Sequence, residues 1–260
     1  MSPADPFADL GRYYDAIMKE VDYDRWIVVT SLLAELLPAK FQHVDLACGT
    51  GRMLKRFVQH KWNTIGLDLS GGMLREAKRG PYSAPLVQAD LAALPFARKF
   101  HYATCAFDSV NFLLEEEQFR AAMREAASLL LDGGVFYFDV ITERMVTEHF
   151  EDQEWVEDNG GFSTRWEGRY DRKTRIAELD ICVNAGQSYL TRERVYTPGE
   201  IKAAIEDAGL TLLGEFDSTT WKKPTYRSIR IDYVAVRNPP KGAVKKLDEI
   251  ARRIRLALGK

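Results

Sequence analysis

The chain has 260 residues, 46% of them hydrophobic and 28% charged, with a formal net charge of −2. That balance is ordinary for a globular protein, and the near-neutral charge excludes a global attraction to nucleic acid or to an acidic membrane. Cys48, Cys105 and Cys182 form no CxxC pair, and His43, His60, His101 and His149 show no HxxxH or HxH spacing, which argues against a disulfide frame and a metal site.

The N-terminus, "MSPADPFADLGRYYD", lacks the basic-then-apolar order of a signal peptide. The longest apolar run, "WIVVTSLLAELL", is too short to cross a bilayer and carries Glu35. A cytoplasmic protein with no membrane span is expected.

Residues 22–38 place apolar side chains at helical spacing and stop at Pro38. "QHVDLACG" then reads as a short buried strand running into a glycine turn, and "RMLKRFVQH" as a helix. "NTIGLDLS" is a second strand, "GGMLREAKR" a second core helix, "APLVQADL" a third strand and "FHYATCAFDSV" a fourth. "EEEQFRAAMREAASLLLDGG" is an amphipathic helix closed by Gly133 and Gly134, and "VFYFDVI" is a fifth strand. Such alternation predicts right-handed βαβ units and a parallel sheet. No repeat of 20–50 residues interrupts it.

From Glu151 to Val195 the period falls to two. "EWVED", "FSTRWEGRY", "RIAELDICV" and "YLTRERVY" predict an antiparallel meander, with turns at "DRKT" and "NAGQ". One face carries Phe162, Trp166, Tyr170, Leu179, Ile181 and Val183. The other carries Arg165, Glu167, Arg169, Glu178, Asp180, Arg192 and Arg194. The charged face can be a set of solvated cross-strand pairs or a grip on an acceptor. "TPGEIKAAIEDAG" is a helix with Thr197 as N-cap and Pro198 in its first position. "TLLGEFDS" and "RIDYVAVRN" lie too close for a crossover and predict an antiparallel hairpin at the sheet edge. In the tail, Val244, Leu247, Ala251, Ile254 and Leu258 mark an amphipathic basic helix. It can dock on its own body, on a dimer mate or on an acidic surface.

The string Asp45-Leu46-Ala47-Cys48-Gly49-Thr50-Gly51-Arg52 closes the first strand, where α/β sheets bind nucleotides. A dinucleotide turn wants a third glycine, but Leu54 stands there. Asp45 would repel a diphosphate and suits a cationic group. The turn therefore favours a ligand with an ammonium or sulfonium and no phosphate. Cys48 reads as a small buried filler.

On these residues the chain resembles the class I S-adenosylmethionine-dependent methyltransferases, whose first motif is an acidic residue followed by an ACGTG-like turn. Three further motifs recur in order: "GLDLS", "VQADLAALPF" and "CAFDSVNFL". The likeness covers roughly residues 35–140 and 196–238. It implies that Ala47, Gly49 and Gly51 approach the cofactor, that Asp68 accepts the ribose hydroxyls with Leu69 beside it, and that Asp90 and Leu91 meet the adenine. Ala106 and Phe107 would lie by the methionine part. Asp68 and Asp90 can each also be plain helix caps.

"GRYYDAIMKEVDYDRW" is similar to the N-terminal lid of sugar N-methyltransferases and glycine or sarcosine N-methyltransferases. The likeness implies that Tyr14 and a basic residue, Lys19 or alternatively Arg25, hold the methionine carboxylate. An aromatic helix face packed on the sheet is the plainer alternative.

Methyl transfer needs alignment more than a fixed catalytic group, and a base only if the acceptor arrives protonated. Asp108, Asn111, Asp139 and Glu143 sit near the ends of strands four and five, where each can be a base or a polar lining residue. "NPPK" at 238–241 is similar to the NPPY of base-modifying methyltransferases, but Lys241 replaces the aromatic that would stack on a flipped base.

The expected fold class is α/β: a Rossmann-like, mostly parallel seven-stranded sheet flanked by helices, with an inserted antiparallel β meander. Residues 1–38 form lid helices, 39–150 and 196–238 the core, 151–195 the insert over the acceptor site, and 239–260 the tail. The expected activity is S-adenosylmethionine-dependent methyl transfer to a small-molecule acceptor, at nitrogen rather than oxygen, by a monomer or homodimer with no nucleic acid partner. The alternatives are a cofactor-binding partner or sensor without catalysis and a nicotinamide-dependent oxidoreductase.

Overall fold

The computed structural model describes residues 5–79 and 84–259. Helices α1 (Phe7–Ile17) and α2 (Tyr23–Leu33) precede the sheet, and the Asp22 carboxylate caps α2 by accepting the N–H groups of Asp24 and Arg25. Then follow β1 (Gln42–Leu46), α3 (Arg52–Gln59), β2 (Asn63–Asp68), α4 (Gly71–Arg79), β3 (Leu86–Gln88) and β4 (Phe100–Cys105). Next come α5 (Glu116–Leu129), β5 (Leu130–Ile141) and α6 (Glu143–His149). Strands β6 (Glu154–Asp158), β7 (Ser163–Asp171), β8 (Ile176–Val183) and β9 (Gln187–Arg194) form the insert. The chain closes with α7 (Pro198–Asp207), β10 (Leu210–Asp217), β11 (Arg230–Arg237) and α8 (Ala243–Ala257).

Seven strands make one sheet in the order β10-β11-β5-β4-β1-β2-β3. It is parallel except at β11, which runs antiparallel to both neighbours. One face packs Phe119, Met123 and Ala126 of α5 and Ile201 and Ile205 of α7 against the strands. The other packs Trp26 and Leu33 of α2, Phe57 of α3 and Leu247 and Ile254 of α8. Burial on both faces is why the second half of β5, Val135–Ile141, reads as a nearly continuous apolar run, and why the polar residues of β1 and β4, His43, Asp45 and Thr104, are buried and bonded to one another.

Three boundaries differ from the sequence expectation. The third strand shrinks to three residues, because the chain turns at an isolated bridge between Asp90 and Ala93. Helix α5 ends at Leu129 rather than at Gly133 and Gly134. Leu130 is already extended and pairs with Phe100, so the glycine pair lies inside β5, where the register shifts between Phe100 and Tyr102. Helix α6 was not expected; Thr142 caps it, its Oγ1 accepting the Met145 N–H.

The insert is a second, four-stranded antiparallel sheet in the order β6-β7-β8-β9. Trp166, Ile181 and Tyr189 share one register line and one face. That face packs on Leu10, Phe7 and Tyr13 of α1. Further along, Tyr170 and Ala177 pack on Val146 of α6 and on Phe150 just beyond it. The opposite face carries the ion pairs Arg165–Glu154, Arg169–Glu167 and Arg192–Glu178; exposed pairs of this kind contribute about 0.2–1 kcal/mol each.

Helix α8 docks on its own body, burying Leu247, Ile250, Ala251 and Ile254, with Arg253 paired bidentately to Glu35. Val244, expected on its apolar stripe, is 56% exposed, because the buried stripe runs through Ile250 instead. No helix among the described residues is long and apolar enough to cross a membrane.

Candidate active site

The turn after β1 is built from left-handed residues. Ala47 (φ 56°), Gly49 (φ 56°) and Gly51 (φ 79°) wrap it tightly, a conformation glycine adopts without steric cost and alanine does not. The Asp68 carboxylate, at the end of the adjacent β2, holds this turn. Its Oδ2 accepts the Gly49 N–H at 2.7 Å and its Oδ1 accepts the Ser70 N–H at 2.8 Å. Asp68 is thus a backbone clamp, but each oxygen keeps lone-pair capacity for a further donor. Burial raises its pKa, opposed by those N–H bonds.

A Cβ placed on Gly49 would meet nothing within 4 Å, so open space lies against the turn. Leu69 next door is 63% exposed. On the inner side, Asp45 is 3% exposed; its Oδ1 accepts the Thr104 hydroxyl at 2.7 Å, while its Oδ2 has no partner among the described residues. Burial pushes its pKa to about 7, with the Asp68 charge adding to the rise and the Thr104 bond opposing it. An orphaned buried carboxylate oxygen beside an open cradle fits a cationic ligand end. Asp90 is exposed and its carboxylate accepts the Ala92 N–H at 2.8 Å, while Leu91 packs partly into the core.

Helix α1 is stitched over the turn. Thr50 donates to the Asp15 carboxylate at 2.5 Å, and Arg52 donates to the carbonyls of Asp15 and Met18 at 3.2 and 2.9 Å. Gly72 of α4 lets α1 approach so closely that a Cβ there would sit 2.3 Å from the Ala8 carbonyl oxygen. Tyr14 is thereby held in the crevice. Its hydroxyl pKa is raised well above the ordinary value by burial and by Tyr23, Asp108, Glu193 and Asp68. That hydroxyl therefore lies within electrostatic reach of both the β2 end and the β4 end. The two basic candidates do not join it. Lys19 donates to the Asp158 carbonyl of the insert at 3.1 Å. Arg25 lies over the Trp26 ring and acts on Tyr137 and Asp232.

At the β4 end, Ala106 is buried, and Phe107 and Asp108 both have positive φ (65° and 52°). Bulky residues hold that conformation only when their surroundings fix it. Here Asp139 of β5 does so, accepting the Phe107 N–H at 2.6 Å and the Asp108 N–H at 3.1 Å. Phe107 stacks on Tyr23 with ring centroids 5.7 Å apart. Arg230 of β11 donates one Nη to Asp139 and the other to Asp108, the latter at 2.6 Å. Burial opposes the Arg230 charge, but the two carboxylates raise its pKa above the ordinary value.

The remaining acceptor-side candidates are structural. Asn111 is fully buried; it donates to the Arg194 carbonyl at 2.8 Å and accepts the Ile141 N–H at 3.2 Å, so it has no amide group facing the crevice. Glu143 accepts the Tyr170 hydroxyl at 3.2 Å, joining α6 to the insert.

Three contributors were missed: Arg52, Arg230 and Glu193. Glu193 had a signal. It is two and four residues beyond Thr191 and Tyr189, so period-two alternation puts this carboxylate on the insert's inner face. Its Oε2 is enclosed and has no partner among the described residues, and burial, then Asp108, raises its pKa well above the ordinary range, against Arg230. Arg230 lies eleven strands into the chain and meets Asp108 only through the sheet order.

A surface hollow of about 530 Å³ lined by Asp24, Ile27, Lys55, Arg56 and Gln59 opens between α2 and α3. It flanks the C-terminal half of α3, away from the strand ends. Among the described residues no group of three or more His, Cys, Asp or Glu side chains could hold a metal ion.

Residues 44–134 match the methyltransferase domain family. The chain is 25% identical over 233 residues to a putative methyltransferase, YqeM, of Bacillus subtilis, covering 85% of this chain and 93% of the relative. It is 35% identical over 107 residues to dTDP-3-amino-3,4,6-trideoxy-alpha-D-glucopyranose N,N-dimethyltransferase of Streptomyces venezuelae, covering 41% of this chain and 45% of the relative. An S-adenosylmethionine-dependent methyltransferase structure from Clostridium acetobutylicum superposes with a TM-score of 0.77 at 25% identity, covering 87% of this chain and 96% of that one.

Proposed function

Because the chain is a class I S-adenosylmethionine-dependent methyltransferase, we propose that it methylates the nitrogen of a small-molecule amine in the crevice between the β4 and β5 ends and the insert. One observation carries this reading. Three carboxylates, Asp108, Asp139 and Glu193, are grouped there around the cation of Arg230. An excess of buried acid suits an ammonium and repels phosphate or carboxylate acceptors. The amino-sugar N,N-dimethyltransferase among its relatives agrees with nitrogen.

S-adenosylmethionine supplies a methyl group on a sulfonium, open to in-line displacement. The chain's part is to hold both molecules in register. Ala47, Gly49 and Gly51 give backbone approach, and Asp45 faces the cationic end. Asp68 takes the ribose hydroxyls with the lone pairs its two N–H bonds leave free. Leu69, Asp90 and Leu91 flank the base, Ala106 and Phe107 line the methionine part, and Tyr14 takes its carboxylate. Lys19 is left out of this set, since the Asp158 carbonyl holds its ammonium. Orientation of this kind can contribute roughly 7–11 kcal/mol to a two-molecule reaction.

The test is a screen of amino sugars, alkylamines, plain sugars and phenols with methyl-labelled cofactor, read by mass. Label on an amine is expected. Label on hydroxyl compounds alone overturns the nitrogen assignment, and label on none overturns the small-molecule acceptor.

A further inference from the structure

Strand β9 brings one carboxylate into the crevice that the core cannot supply. Its end is fixed to the turn after β4: Asn111 donates to the Arg194 carbonyl at 2.8 Å, and Arg194 donates to the Leu114 carbonyl at 3.1 Å. Arg194 and Glu193, as strand neighbours, point to opposite faces. The Arg194 guanidinium reaches to Leu114 and Glu200, which leaves the Glu193 carboxylate on the other face, where it interacts electrostatically with Asp108, Arg230 and the Tyr14 hydroxyl. On the insert, Glu193 shares its register row with Ala177 of β8 and Tyr170 of β7, and the Tyr170 hydroxyl is engaged with Glu143.

The three acids of the crevice are not equivalent. Asp139 spends its oxygens on the N–H groups of Phe107 and Asp108 and on Arg230, and Asp108 is paired with Arg230. Glu193 Oε2 has no partner among the described residues.

From this geometry we propose that Glu193 is the catalytic base for the amine acceptor: it binds the acceptor ammonium and takes its proton. This rests on the nitrogen reading above. The proton moves from the ammonium to the Glu193 carboxylate, leaving a neutral amine whose lone pair forms the new N–C bond as the S–C bond of the cofactor breaks. The product carries the positive charge that the sulfonium loses, so charge balances at each step. The groups facing Glu193 tune it: burial and Asp108 raise its proton affinity, which a base toward an ammonium needs, and Arg230 keeps that rise in check. An insert strand thus makes acceptor chemistry depend on the insert, whereas the cofactor contacts come from the core and α1.

The experiment compares the parent with E193Q and E193D on an amine that gains label in the screen, over pH 6 to 10, with cofactor affinity measured by calorimetry. A positioned base contributes about 100- to 10,000-fold. E193Q should therefore lose at least 100-fold in kcat near pH 7, with cofactor affinity within threefold of the parent. The loss should shrink as the pH approaches the amine's own pKa, where solution supplies the free amine, and E193D should recover part of the rate. A purely structural defect would persist at every pH. If an amine is methylated and E193Q matches the parent throughout, the nitrogen reading stands and the base assignment is overturned. If only hydroxyl compounds are methylated, the nitrogen reading falls and the ammonium contact falls with it. Should E193Q not fold, the parent's profile decides: a rate that follows only the amine's solution pKa overturns the proposal.

Discussion

The Asp68 carboxylate at the end of β2 accepts the Gly49 N–H at 2.7 Å and so holds the turn that ends β1. One side chain therefore shapes the cradle and faces the open space beside it. Asp68→Ala should weaken S-adenosylmethionine binding at least tenfold and also lower stability by about 1–3 kcal/mol, because a buried N–H loses its acceptor. Calorimetry and urea unfolding separate the two losses. Unchanged affinity with lowered stability would leave Asp68 as a clamp alone.

The approach of α1 to α4 makes a graded steric test. A Cβ at Gly72 would lie 2.3 Å from the Ala8 carbonyl oxygen, whereas one at Gly11 has its nearest neighbour at 3.3 Å. Gly72→Ala must push α1, and Tyr14 with it, away from the crevice. Overpacking of this kind costs about 1–3 kcal/mol, and 1.4 kcal/mol is tenfold in affinity. Gly72→Ala should weaken cofactor binding about tenfold with the far-ultraviolet circular dichroism unchanged, and Gly11→Ala less than threefold. Equal effects would show that α1 does not set the affinity.

With Asp45 at the cationic end of the cofactor, as proposed, binding should release a proton. Its folded pKa of about 7 lies above the ordinary value of 3.8 because burial disfavours the charge. A carboxyl raised in this way adds stability that is fully present below about pH 4 and is lost as pH rises through about 7. His43 acts in the opposite sense: buried and lowered to about 3, it costs stability as pH falls from 6.5 toward 3. A cationic ligand end beside Asp45 should drive its proton off. Calorimetry of S-adenosylmethionine binding at pH 6.5 should thus give different heats in phosphate and in Tris, and Asp45→Asn should remove the difference. Identical heats for the parent would place the cofactor's charge elsewhere.

Helix α8 is part of the core. Leu247, Ile250 and Ile254 are each at most 2% exposed, and burial of such side chains stabilises by about 1.5–3 kcal/mol apiece. Against a domain stability of about 5–15 kcal/mol, truncation after Asn238 should leave the chain unfolded or nearly so. A truncated protein with the parent's melting temperature would show that these contacts carry little.

Apart from α6, the β-strand and helix order, the glycine turn and the strand-end acids were legible in the sequence, because each is a local pattern. Apolar runs, period-two alternation and turn residues report the environment of a few consecutive positions, and the Thr197 cap with Glu200 needed only four residues to be seen. The same locality explains the misplaced end of α5, where helical propensity runs on to the glycines but pairing of Leu130 with Phe100 intervenes. Which acids remain unpaired could not be read that way. Asp108, Asp139 and Arg230 are separated by up to 122 residues and meet only because β11 lies beside β5 and β5 beside β4. Lys19 looked suitable by its nearness to Tyr14, yet its ammonium follows the insert that folds back over α1. Glu193 was passed over, although it alternates with Arg192 and Arg194 of the charged face, because only its enclosed, unpartnered oxygen sets it apart from the other acids of the insert. Pairing, burial and charge balance at the site are properties of neighbours in space, and only the tertiary structure decides who those neighbours are.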